Sequence, residues 1–204
     1  MNTHPHTLRR PRAPRWQRLL AASGPWRLAS LASLAVLALL LASAPVRAQL
    51  IADDPAWQEG TVPPAPAFQT QGLLPFFVVV DSELRFGLVP ESLQLGADGV
   101  IRYVVVAQSA GGGVNVFYEG LRCRTQEMRT YARWSPTQQP LPSPFTSEAG
   151  QWRSAGETRW LGWRDHAAGR PAWALARAGL CDGAAPNGRP AQMLQALRQN
   201  APQR

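Results

Sequence analysis

The stretch VNVFYEGLRCRTQEMRTYARW, Val114 to Trp134, sets Arg122, Arg124, Arg129 and Arg133 among Tyr118, Tyr131 and Trp134. A guanidinium is a planar fork of donors that matches carboxylate and phosphate oxygens, and it also stacks on aromatic rings. Arginines interleaved with aromatics therefore carry the chemistry of an anion- or glycan-binding surface. Arg122, Arg124, Arg129, Tyr131 and Arg133 form the candidate ligand face. Cross-strand pairing with Glu119 or Glu127 accounts for the same arginines without a ligand, and at the level of sequence both readings stand.

Bond-making chemistry has thinner support. His166 is the one histidine outside the N-terminal leader, which takes His4 and His6. A hydrolase built on it needs a serine and an acid from elsewhere, because the adjacent Asp165 does not orient it and no GxSxG elbow is present. Asp81 and Glu83 would face the same way on a strand, and paired carboxylates can share acid and base roles. At a strand end such a pair is ordinarily a solvated turn. The run AGGGV lacks the helix and lysine of a phosphate loop. No catalytic residue, cofactor or metal is assigned, and whether the chain is an enzyme is left open, with a non-catalytic role favoured.

Cys123 and Cys181 have neither CxxC spacing nor neighbouring histidine ligands. In an oxidising compartment two cysteines read as one disulfide. Closing a loop of 58 residues would stabilise the fold by about 4 kcal/mol in the chain-entropy model. The compartment follows from the front of the chain, where six arginines from Arg9 to Arg27 precede the apolar run LASLASLAVLALLLAS, Leu28 to Ser43. APVRAQ follows, with small residues at Val46 and Ala48. A basic region, an apolar core and a small-x-small site make a secretory signal. Its core is shorter than the roughly 20 residues a membrane span needs. Sec export with cleavage between Ala48 and Gln49 is expected, with residence in the periplasm, or secretion as the alternative, and no transmembrane or lipid anchor afterwards.

Cleavage also resolves the charge. The whole chain carries +8, with 21 basic residues, all arginine, against 13 acidic ones. Seven of the 21 arginines leave with the leader, so 14 face the same 13 acids and the mature chain is close to neutral. A nucleic-acid partner, which needs a basic excess or stripe, is not expected.

The elements that must position these residues are mostly strands. A proline-containing arm spans 49–72, and LLPFFVVV and ELRFGLV read as strands. SLQL-GADG-VIRYVVVAQ reads as a hairpin. Two further strands run from Val114 and through EMRTYARW. Strict alternation would place Met128, Thr130, Ala132 and Trp134 on one side of the latter, and Arg129, Tyr131 and Arg133 on the other. A proline-rich loop follows. PAWALARAGLC predicts a helix docked through Trp173 and Leu180 and ended by Gly183, and PAQMLQALRQ a shorter one. The expectation is an α+β fold: an antiparallel, meander-like sheet with C-terminal helices packed on it and one disulfide. Residues 73–181 form the domain, and 182–204 a tail with a short helix.

The order WQEG, PPAPAF, LLPFFV, GADGVIRY, YEGLRC and GLCDG, from Trp57 to Cys181, resembles the CNP1-like family of exported proteobacterial proteins. DGVIRY followed by YEGLRC carries most of the likeness. The alanine-rich AWALARAGLC departs from the more aromatic segment expected there. The resemblance implies an exported single domain with paired cysteines and no established reaction. The functional expectation is a non-catalytic envelope protein binding an anionic or glycan-like ligand, or a partner protein, through the arginine and aromatic face. The alternatives are a small hydrolase using His166 and a purely structural part of an envelope assembly.

Overall fold

A computed structural model describes residues 56–79 and 82–202. The leader, the cleavage point Ala48–Gln49 and Asp81 lie outside the described residues. The central feature is an antiparallel sheet with the strand order β1 (Leu74–Phe76), β2 (Leu84–Leu88), β4 (Ile101–Ser109), β5 (Val114–Arg122), β6 (Glu127–Pro136) and β7 (Gly150–Ser154). The short β3 (Gln94–Leu95) pairs with β4, and β8 (Leu161–Gly162) pairs with β6. The sheet is the expected meander.

Strand β4 explains its own composition. Ile101, Tyr103 and Val105 point into one apolar cluster, while Val104 and Val106 point into another on the opposite face. A strand covered on both sides loses the polar half of the usual alternation and reads as a continuous apolar run. Each fully buried valine or isoleucine contributes about 2 kcal/mol of transfer free energy. Arg102, only 3% exposed, is the polar exception in this run.

The first face is covered by the C-terminal helices. Helix α1 (Arg170–Leu175) begins with Pro171 in its first turn, where a missing N–H costs nothing, and continues through one wider turn, Ala176–Leu180. It docks through Ala172, Leu175, Ala176 and Leu180. Trp173 is only half-buried and lies under the guanidinium of Arg177, 5.0 Å from its ring centroid. Small alanines let the helix approach the sheet closely, which leaves the large ring at the margin. The helix ends at Gly179, whose φ of +138° is open chiefly to glycine, rather than at Gly183. Gly183 instead turns the two-stranded ribbon β9 (Cys181–Asp182) and β10 (Ala185–Pro186). Helix α2 (Pro190–Gln199) buries Met193 and Leu197 in the same cluster. A disulfide joins Cys123, just past β5, to Cys181, with Cα atoms 5.7 Å apart.

The second face is covered by extended chain. Phe68 is 5% exposed and packs edge-on against Trp134, Phe145 and Trp152. The Trp152 indole donates to the carbonyl of Pro66 (3.1 Å), and Thr70 exchanges hydrogen bonds with Phe145. The proline-bearing segment from residue 56 onward is thus laced to the proline loop between β6 and β7 and lies across its own sheet.

Candidate functional site

A bulge decides where the arginines go. The pairing of β5 with β6 runs Tyr118 with Ala132 and then Glu119 with Thr130, which leaves Tyr131 as an extra residue on β6. An inserted residue shifts the alternation by one. Arg129, opposite Gly120, therefore joins Arg122, Tyr131, Ala132 and Trp134 on the second face. Arg133, opposite Phe117, points to the first. Arg124 is exposed in the turn after Cys123. The candidate face is divided: Arg122, Arg129 and Tyr131 meet, and Arg124 and Arg133 stand apart from them.

The residues that meet on the second face are joined by an incoming acid. Glu59, from the segment preceding the sheet, accepts from Arg129 Nη1 at 2.6 Å and from the Tyr131 hydroxyl at 2.5 Å, with Arg102 Nη2 at 3.4 Å. Arg102 is gripped by Asp98, whose two oxygens accept Nη1 at 3.1 Å and Nη2 at 2.7 Å. Asp98 also accepts the backbone N–H of Val100 and Gly60, and its carbonyl accepts the Trp57 indole N–H at 3.0 Å. The Trp57 ring lies 3.5 Å from the Arg122 guanidinium carbon, with Trp160 at 5.6 Å and Glu127 Oε2 accepting from Arg122 Nη1 at 3.0 Å.

The electrostatics follow from burial opposed by contact. Burial raises the Asp98 carboxyl, but the hydrogen bond from Arg102, those from the backbone of Val100 and Gly60, and the Arg102 charge outweigh it, so its pKa is lowered. Burial pulls Arg102 down, and Asp98 more than reverses this. Burial and the hydrogen bond to Glu59 together push the Tyr131 phenol up, so it stays a neutral donor. Such a network is costly to break, because each lost partner strands a desolvated charge. Arg102 Nε has no hydrogen-bond partner among the described residues.

Trp57, Glu59, Asp98, Arg102 and Trp160 were not among the expected site residues. Except for Trp160, their signal lies in the short motifs: WQEG supplies Trp57, Glu59 and Gly60, GADGVIRY supplies Asp98 and Arg102, and YEGLRC supplies Gly120 and Arg122. The glycines make the room. A Cβ at Gly120 would overlap the Tyr131 hydroxyl, and one at Gly96 would overlap Asp98 and crowd Arg102.

On the first face Glu119 is 5% exposed, and the Tyr103 hydroxyl donates to its Oε2 at 3.3 Å. Burial raises its pKa to about 7 against the lowering influence of Tyr103, Arg133 and Thr130. Arg133 lies with its guanidinium carbon 5.2 Å from the Phe117 ring centroid and pairs across the sheet with Arg153. Both arginines are exposed, and neither is within ion-pair distance of a described carboxylate. His166 is exposed, and its imidazole has no hydrogen-bond partner among the described residues. Glu83 is exposed beside the undescribed Asp81. Among the described residues, no group of three or more His, Cys, Asp or Glu is placed to hold a metal ion, and no helix is long and apolar enough to cross a membrane.

A family model described as CNP1-like family matches residues 52–198, and the chain belongs to that family. No curated protein and no solved structure matches it.

Proposed function

We propose that the chain is an exported, disulfide-stapled module of the cell envelope that works by binding rather than by catalysis. The observation that carries the reading is how its reactive groups are committed. Glu59, Asp98, Arg102, Arg129 and Tyr131 satisfy one another around a buried centre, and both thiols are consumed in the disulfide. A general acid or base needs reach to a substrate proton, and these groups reach each other instead. Arginine and aromatic chemistry still faces solvent on the first face, where Arg133 lies over Phe117 and stands opposite Arg153.

Export fits two features of the chain. It supplies the oxidising compartment in which a disulfide persists, and it removes the seven arginines of the leader, so the remaining arginine pair is a local feature on a nearly neutral molecule. The ligand class is anionic or glycan-like, or an envelope protein presenting such groups. The test is mild crosslinking in intact cells, followed by fractionation and recovery of the protein. The reading predicts recovery from the envelope fraction, crosslinked to a partner or ligand. Recovery only from the cytosol, or as an uncrosslinked monomer under conditions that crosslink known envelope complexes, would overturn it.

A further inference from the structure

Among the described residues four large apolar side chains stand exposed, and three of them, Phe77, Val79 and Leu84, line one cleft at the β1–β2 edge of the sheet. Phe77 is 58% exposed. Taking such surface out of water is favourable, so a cluster of it is a binding feature, where a single exposed residue means little. Phe76 and Phe86, with ring centroids 5.8 Å apart, line the same cleft. Its volume of about 830 Å3 lies within the range of small-molecule sites, roughly 300–1,000 Å3. Arg85 is the one charged residue among the described residues that line it. Its guanidinium has no ion-pair or hydrogen-bond partner among the described residues. Gln108, opposite it across β2 and β4, lines the cleft as well.

Proline has no N–H, so Pro75 at the centre of edge strand β1 disfavours addition of a further strand, whether from a partner or from a second copy. A membrane surface is met by clusters of several cations, and this cleft carries one. One unpaired guanidinium beside an apolar hollow matches a single anionic end group on an apolar body. A carboxylate takes two parallel N–H contacts from one such fork. We propose that the cleft at the β1–β2 edge binds a fatty acid, with its carboxylate at Arg85 and its acyl chain along Phe77, Val79 and Leu84. Arg133 does not line this cleft, so the site is a second one, beyond the surface named above, and its ligand is selected by apolar burial as well as by charge.

The test uses the purified, oxidised protein with laurate, dodecanol, acetate and phosphatidylglycerol vesicles as probes. Calorimetry should show laurate bound, dodecanol roughly tenfold weaker for want of the charged contact, and acetate not bound. Arg85→Gln should weaken laurate roughly tenfold and leave dodecanol unchanged, whereas Phe77→Ser should weaken both. Leu95→Ser, at the fourth exposed apolar residue and outside this cleft, should bind as the parent does. Circular dichroism melts confirm that the variants are folded. Failure of the parent to bind laurate, or equal binding by the folded Arg85→Gln variant, would overturn the proposal. So would co-sedimentation with vesicles that laurate does not displace, which identifies a membrane surface. A ligand-free dimer that Phe77→Ser dissociates in analytical ultracentrifugation would also overturn it, by identifying an interface between copies. Crosslinking in cells is a separate readout: a partner captured by a protein indifferent to laurate would refute this site and leave the module reading standing.

Discussion

Glu59 and Arg129 are 70 residues apart along the chain and 2.6 Å apart in the fold. That contact, with Tyr131 and Arg102 on the same carboxylate, anchors the segment entering the domain to the second face of the sheet. Arginines and aromatics that resemble an open ligand face in sequence are here the receptor for the protein's own N-terminal approach. The Glu59 carboxylate fills the position that an external anion would take.

Glu59→Gln should therefore destabilise the domain by about 3 kcal/mol, the scale on which losing one partner of a largely buried ion network is felt. Urea unfolding followed by tryptophan fluorescence measures it, and Trp57 should become more accessible to quenchers. A loss under about 1 kcal/mol would mean that the segment is held by Phe68 and the proline contacts instead.

Gly120→Ala tests the room that the motif YEG creates. The added methyl would overlap the Tyr131 hydroxyl and drive the ring from Glu59. Overpacking of this kind costs about 2 kcal/mol. Gly111→Ala, at a glycine with open space around its Cβ position, should fall within about 0.5 kcal/mol of the parent.

Glu119 makes stability depend on pH with a definite sign. An unfolded glutamate titrates near 4.5, and burial holds the folded one at about 7. Between these values the native state keeps a proton that the unfolded state has released, so stability falls as pH rises from about 4.5 to about 7 and levels off above. The slope is on the order of 1 kcal/mol per pH unit. Glu119→Gln should flatten this window. Asp98 acts oppositely: its lowered pKa contributes stability that is lost as pH falls through the carboxylate range. Chemical denaturation of parent and variant at pH 5 and pH 8 isolates the Glu119 contribution, and equal pH dependence in both would refute it.

Much of the fold was legible in the chain. The β-rich runs, their turns and the apolar density of VIRYVVVA predict the meander and its doubly covered centre, and a proline marks the start of both helices. The lone cysteine pair is joined as expected. The candidate site was legible only in fragments. One extra residue at Tyr131 sends Arg133 to the other face, and a bulge of one residue leaves almost no mark in composition. Asp98 sits in GADG, where aspartate and glycine already suffice to explain a turn, so its grip on Arg102 is hidden. The capture of Glu59 depends on tertiary approach across 70 residues, which no local period records. The helix ends at Gly179 and not at the expected Gly183, because the wider turn breaks the helical pattern that ARAGL continues in sequence.

The most direct test of the account is intact-mass spectrometry of the protein recovered from cells without reductant, with and without thiol alkylation. The account predicts a chain beginning at Gln49 that carries the Cys123–Cys181 bond and takes up no alkylating agent until reduced. Reduction should then lower stability by about 4 kcal/mol. A chain that retains its leader and has two alkylatable thiols would contradict it.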